Sequence, residues 1–214
     1  MEPIITLYER EPAAPDTLPA VLATYYGGSF TLPTQEVSIR PYVIANFVET
    51  LDGIVSYNAP GQTGGGLISG NNAQDKMVMG LLRASADAVI LGSSSLRIDA
   101  NHLRIPSYIA PAFSAEYDAF RTQQRRQERW PMSVVVTGSG DIDPQDRTFH
   151  TPGLRVVIAT TEQGRAYLTQ QVLPPGVEVR VVEGSEKKEA PQSRGSPQAV
   201  LSLLAQDYGV RVAL

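Results

Sequence analysis

Cysteine is absent from the 214-residue sequence. That excludes disulfides, thiolate nucleophiles and cysteine-ligated zinc, and says little about compartment. Long apolar runs are missing too, since none approaches the roughly 18–20 residues of a membrane-spanning helix. The N-terminus lacks a basic segment followed by an apolar one, so no secretory signal is visible and a cytoplasmic location is expected by elimination. Charge of one sign is not in excess: 18 Lys and Arg against 22 Asp and Glu give a formal net charge of −4. Mixed along the chain, it gives no reason to expect nucleic acid or an acidic membrane as partner. Only His102 and His150 represent histidine. Neither stands in a metal-ligand spacing, so no metal is expected.

Three familiar motifs are lacking as well. "GQTGGGLIS" has glycines but no Lys-Ser/Thr pair and does not follow a strand, which rejects a P-loop. No G-x-G-x-x-G lies between a strand and a helix. "GSSSL" is not the G-x-S-x-G elbow of a serine hydrolase.

What is present is a core: 42% of residues are hydrophobic and 19% charged, as in one ordinary domain with an extension. Residues 1–39 read as an acidic, proline-containing arm with one short element near Leu18 to Phe30, and residues 40–214 as the domain proper. "PYVIANF" reads as a strand buried on both faces, "SYNAPGQTGGGLISG" as loop, and "NNAQDKMVMGLLRASA" as a helix capped by Asn71 or Asn72. Its apolar stripe is Met77, Val78, Leu81 and Leu82. "DAVILGSSS", "MSVVVTGSG", "LRVVIATT" and "VEVRVVEG" are further strands, and "VRVAL" begins a sixth. Helices are expected around Glu116 to Arg129, over "TEQGRAYLTQQ", and over "SPQAVLSLLAQDYG", with Ser196 as cap and Gly209 as stop. "EGSEKKEAPQSRGSP" reads as a flexible surface loop. Strands alternating with helices imply an α/β fold, a mostly parallel sheet flanked by helices. In such sheets ligands bind at the carboxyl ends of strands.

Three strand ends carry polar or small residues suited to that role. Gly92 lets a ligand approach the backbone, and Ser93, Ser94 and Ser95 add hydroxyls beside N–H groups, a combination that suits a phosphate or equally a plain strand-to-helix turn. Thr137, Gly138 and Ser139 suit a ribose or second phosphate, or a polar hairpin. In "VETLDG", Glu49, Thr50 and Asp52 stand together; Asp52 suits hydrogen bonds to a ligand, or a cap on the turn before Gly53.

Taken in order, "RPYVIANFVETLDGIVS", "LISG", "LLRASADAVILGSSSLRIDANHLR" and "MSVVVTGSGDIDP" resemble the pyrimidine reductases of riboflavin biosynthesis, which share the fold of dihydrofolate reductase. The family pattern is roughly R-P-[YF]-V, S/T-L-D-G, I-S, L-R-x-x-x-D-A-V-x-x-G-x-x-T and D-D-P-x-L. The resemblance runs from Arg40 onward. It implies an oxidoreductase that uses NADPH to reduce the ribosyl group of a diaminopyrimidinone or aminouracil phosphate to a ribityl chain. The resemblance further implies that Gly92, Ser93, Ser94 and Ser95 hold the cofactor phosphates, with Ser95 where the family usually has Thr. Thr137, Gly138 and Ser139 would then lie near the adenosine ribose or its 2′-phosphate. Asn46, Thr50, Asp52, Ser69 and Asp99 would line the substrate or nicotinamide pocket, Asp52 as an orienting group. Arg83 matches the family's L-R pair and would bind substrate phosphate; its place nearly opposite the apolar stripe equally suits a solvated arginine.

Two departures bear on function. The D-D-P-x-L run reads "DANHL", Asp99 to Leu103, which leaves room for a different sugar-phosphate or heterocyclic substrate. In the family a Glu-Gly-Gly loop and further strands follow the equivalent of "VRVAL" and usually complete a dimer. With Leu214 last, the expectation is that the C-terminal strands are missing, that the sheet is left with an unpaired, hydrophobic edge, and that the cofactor site is incomplete. This chain alone is then not expected to be fully active, and a homodimer is expected only where the missing part is present. Alternatives to the pyrimidine reductase are a same-fold reductase of another carbonyl or imine compound, and a non-catalytic nucleotide-binding domain.

Overall fold

The computed structural model describes residues 1–8, 18–32, 39–55, 57, 65–124, 126, 128–182 and 196–214. Of the segments read as loop, 58–64 and 183–195 lie outside those residues. The described strands are β1 (Tyr42–Val43), β2 (Ala88–Gly92), β3 (Met132–Thr137), β4 (Val156–Thr160), β5 (Val177–Val181) and β6 (Val212–Ala213). The described helices are α1 (Ala20–Tyr26), α2 (Gly65–Ile68), α3 (Ala73–Ser85), α4 (Ser93–Ile98), α5 (Pro106–Ile109), α6 (Ser114–Gln123), α7 (Arg147–His150), α8 (Glu162–Leu168) and α9 (Pro197–Tyr208). They fall into two units: residues 1–34, 45–85 and 104–129, and residues 35–44, 86–103 and 130–214.

The second unit is built on one six-stranded sheet, ordered β1-β6-β2-β3-β4-β5, in which every described pairing is parallel. Parallel strands covered on both faces need continuous apolar runs, and "VVIAT" in β4 is buried at every position. Val134 of β3 and Val157 and Ala159 of β4 pack with Val200 and Leu204 of α9. Pro197 opens that helix and Gly209 ends it in the left-handed conformation, as expected. Ser196 stands at the cap but makes no capping bond; its hydroxyl lies 3.0 Å from Gln198 Oε1 instead.

β6 is not an edge strand. It lies between β1 and β2, pinned by Asp87, whose Oδ2 accepts the N–H groups of Arg211 and Val212 at 2.9 Å each. Among the described strands, the outer ones are β1 and β5. The expected Pro41–Phe47 strand shortens to Tyr42–Val43, with Val43 and Phe47 exposed. An edge strand persists only as long as its partner, and β6 offers two paired residues.

The first unit has its own core, in which Leu22 of α1 and Met77 and Leu81 of α3 meet Tyr117 and Phe120 of α6. Asn72 caps α3 through Oδ1, which accepts the Asp75 N–H at 3.0 Å. The other end of α3 is closed by arginines. Arg121 Nη1 donates to the Ala84 carbonyl at 2.9 Å and Arg126 Nη2 to that of Ser85 at 2.7 Å. Cations there meet the orphan carbonyls and the negative end of the helix dipole. Burial pulls the Arg121 pKa down to about 10 against the opposing pull of Asp118 and Glu128, so the group stays charged at neutral pH. The expected 116–129 helix runs from Ser114 to Gln123, and α2 occupies a stretch read as loop.

Candidate functional site

In the second unit the strand register places Gly92 of β2 beside Val136 of β3, and Thr137 beside Thr160 of β4. The carboxyl ends of these strands therefore stand side by side, and Gly92–Ser95 and Thr137–Ser139 become neighbours, as the parallel order requires. Gly92 has φ −77° and ψ 152°, extended backbone open to any residue. A Cβ there would meet nothing within 4 Å. Neither backbone strain nor packing in this unit demands a glycine, so what its missing side chain preserves is open space over the strand end. Ser94 and Ser95 are exposed and Ser93 half-buried on the first turn of α4.

The loop after β3 has a different logic. Thr137 is buried, and its hydroxyl accepts the Gly140 N–H at 3.1 Å. The Gly138 carbonyl accepts the Thr161 hydroxyl at 2.7 Å. Gly140 has φ +75°, and a Cβ on it would lie 2.4 Å from the Gly164 carbonyl oxygen. A Cβ on Gly164 would lie 2.0 Å from Thr160 Oγ1 and within 2.9 Å of Gly138 O and Gly140 N. Two glycines thus let the loop dock backbone to backbone on α8. Thr137 shapes the loop, while Gly138 and Ser139 are its exposed part.

Arg97 joins the two segments. Its Nη1 donates to the Asp141 carbonyl at 2.8 Å and to Asp141 Oδ2 at 3.3 Å, and its Nη2 lies 3.4 Å from Ser94 Oγ. Sequence reasoning misses this arginine. It lies five positions after Gly92, on a helix whose start the serines mark, and pairing the two strand ends is the step that would find it.

The departure at "DANHL" also has a structural basis. Asn101 has φ +62°, a conformation proline cannot adopt. Its N–H donates to Asp146 Oδ2 at 2.8 Å, and its Oδ1 accepts the Arg147 N–H at 3.0 Å. Asp146 is buried and its Oδ1 also accepts the Thr148 N–H at 2.8 Å, capping α7. Asp99 pairs with His102 Nδ1 at 3.5 Å.

In the first unit, Thr50 and Asp52 form a closed turn. The Thr50 hydroxyl donates to Asp52 Oδ1 and accepts the Ile54 N–H at 2.9 Å, and Gly53 turns the chain at φ +86°. Asp52 is exposed. Asn46 is half-buried with Nδ2 3.9 Å from Met79 Sδ, and the Ser69 hydroxyl lies 3.5 Å from the Gly66 carbonyl. Arg83 is not a solvated arginine: it is 6% exposed and Nη1 donates to the Ile105 carbonyl at 3.4 Å. A cavity of about 320 Å³ in the second unit lies at the amino ends of β4 and β5, lined by Phe149, His150, Pro174 and their neighbours; it contains none of the expected site residues. Among the described residues, no helix is long and apolar enough to cross a membrane.

The second unit defines an α/β domain with a parallel sheet whose adjacent strand ends are glycine- and hydroxyl-rich. The chain belongs to the RibD C-terminal domain family, whose model matches residues 41–211. No curated protein matches it. Among solved structures it is similar to a diaminohydroxyphosphoribosylaminopyrimidine deaminase/5-amino-6-(5-phosphoribosylamino)uracil reductase from Thermotoga maritima, at 19% identity and a TM-score of 0.48. The match covers 81% of this chain and 38% of that one, so the chain spans well under half of that protein's length.

Proposed function

We propose that this chain is a reductase domain of the riboflavin-biosynthesis type, which binds NADPH at the carboxyl ends of β2 and β3 and reduces a ribosylamino-pyrimidine phosphate to its ribityl form. Membership of the RibD C-terminal domain family supports the class of reaction. The observation that carries the cofactor reading is Gly92, exposed at a strand end with open space where a side chain would stand and an extended backbone that any residue can adopt. Beside it, Ser93, Ser94 and Ser95 supply hydroxyl donors for phosphate oxygens, and Gly138 and Ser139 present exposed backbone and a hydroxyl for a ribose. Thr137 acts by holding their loop.

When bound, NADPH supplies the hydride. The chain's own residues bind and orient. In the first unit, Asp52, its carboxylate held by the Thr50 hydroxyl, is proposed as an orienting group and Asn46, Thr50 and Ser69 as substrate contacts; in the second, Asp99 is proposed as a ligand contact. A same-fold reductase of another carbonyl or imine compound is the second reading. It is favoured by the Asp99–Leu103 segment, where Asn101 is committed to Asp146 and Arg147.

Titration calorimetry of the 214-residue chain with NADPH tests the cofactor reading, with Gly92→Val as control. Micromolar binding lost in a folded variant supports it; no binding by a folded wild-type chain overturns it.

A further inference from the structure

We propose, on the cofactor reading above, that Asp141 sets the choice between dinucleotides with and without a 2′-phosphate by occupying Arg97. Arg97 lies on the last turn of α4 and reaches the loop after β3, so its guanidinium stands between the serine segment and the Gly138–Ser139 loop. Two of its contacts are to Asp141, one to the carbonyl and one to the carboxylate, and a third is to Ser94. Asp141 is held independently by its own turn, since its N–H donates to Ser139 Oγ at 3.2 Å. The carboxylate is therefore presented to the arginine by the loop.

The pair is solvent-exposed, at 45% and 64% for the two side chains. Exposed pairs of this kind are weak and screened. A phosphate, with more charge and a fork of acceptor oxygens matching a guanidinium, outcompetes a single carboxylate for the same arginine. The displaced Asp141 carboxylate stays on its loop and repels the phosphate that replaced it. A ribose with a free 2′-hydroxyl meets no such repulsion and can donate to the carboxylate. Arg97 thus favours the phosphorylated dinucleotide, and Asp141 holds that preference down.

The test is calorimetric titration of wild type, Asp141→Asn, Arg97→Gln and the double variant with NADPH and with NADH. Asp141→Asn is expected to tighten NADPH about three- to tenfold and to change NADH less than about twofold. Arg97→Gln is expected to weaken NADPH about tenfold while NADH stays within about twofold, and to remove most of the gain from Asp141→Asn in the double variant. An unchanged NADPH-to-NADH ratio in Asp141→Asn overturns the proposal while leaving the cofactor reading standing. A folded wild-type chain that binds neither dinucleotide overturns both.

Discussion

Gly92 and Gly164 lie near the same strand ends, yet substituting them should have opposite consequences. At Gly92 the backbone is extended, so valine is sterically at home, and an added Cβ meets nothing within 4 Å. Replacing glycine stabilises by about 0.4–1 kcal/mol through the unfolded chain, and loss of a glycine N-cap to an apolar residue costs about as much. Gly92→Val should therefore leave stability within about 0.5 kcal/mol of wild type while weakening NADPH binding at least about tenfold, because its side chain takes the space the ligand needs. At Gly164 an added Cβ falls 2.0 Å from Thr160 Oγ1, 2.8 Å from Gly138 O and 2.9 Å from Gly140 N. Two of these atoms are backbone and cannot rotate away.

Overpacking of that kind costs about 1–3 kcal/mol, and loss of the Thr161–Gly138 hydrogen bond about 1 kcal/mol more. The helix gains about 1 kcal/mol from exchanging glycine for alanine. The net for Gly164→Ala is a loss of about 1–3 kcal/mol, and a fall in Tm of several degrees at roughly 2–4 °C per kcal/mol. Urea unfolding followed by circular dichroism reads the stabilities, and titration calorimetry the binding. A folded Gly92→Val chain that binds NADPH like wild type would show that the open space at that strand end serves no cofactor. A Gly164→Ala chain as stable as wild type would show that the loop does not dock backbone to backbone on α8.

In the first unit, a Cβ on Gly80 would lie 2.3 Å from the Tyr117 hydroxyl oxygen, which donates to the Met77 carbonyl at 2.9 Å. Gly80→Ala, ordinarily worth about 1 kcal/mol to a helix interior, should instead destabilise by about 1–2 kcal/mol in urea unfolding; a rise in midpoint would contradict the packing. Asp146→Ala strands the N–H groups of Asn101 and Thr148 and should cost about 2–4 kcal/mol. Asn101→Gly, able to keep the positive φ, should be milder than Asn101→Pro, and thermal melts giving the reverse order would refute the clamp. Glu178 provides a pH test. Burial, the largest single influence, pushes its pKa up, but hydrogen bonds from Arg155 and Tyr208 and the charges of Arg155 and Arg180 together hold it below the usual carboxylate range. Its stabilising contribution is therefore complete above the unfolded glutamate pKa of about 4.3 and is lost as pH falls through the lower folded value. Glu178→Gln should flatten that acid limb in Tm against pH; because the pair with Arg155 is largely exposed, the change should be small and shrink with salt.

The readable and unreadable parts of this molecule differ in how far their causes lie apart along the chain. β2, β3 and β4 announce themselves because a central parallel strand must be apolar at nearly every position, and the Asn72 cap of α3 and the Gly209 stop of α9 because a local residue sets them. β1 is shorter than its residues suggest: "PYVIANF" has the composition of a central strand, but its pairing length is decided by β6, about 170 positions later. The four-residue helices α2, α5 and α7 are too short to show a period. Thr137 suits a ligand contact and a turn equally well by type, and only the Gly140 N–H across the loop decides how its hydroxyl is used. Arg97 and Asp141 are 44 residues apart, and nothing links them until β2 and β3 are laid side by side. Asn101 makes the same point at a single residue. Measured against a motif, it is a proline replaced; in the folded chain, its positive φ, its N–H and its carboxamide are each in use. The motif's proline could supply none of them, so this stretch of chain follows a different course, one that leads to Asp146.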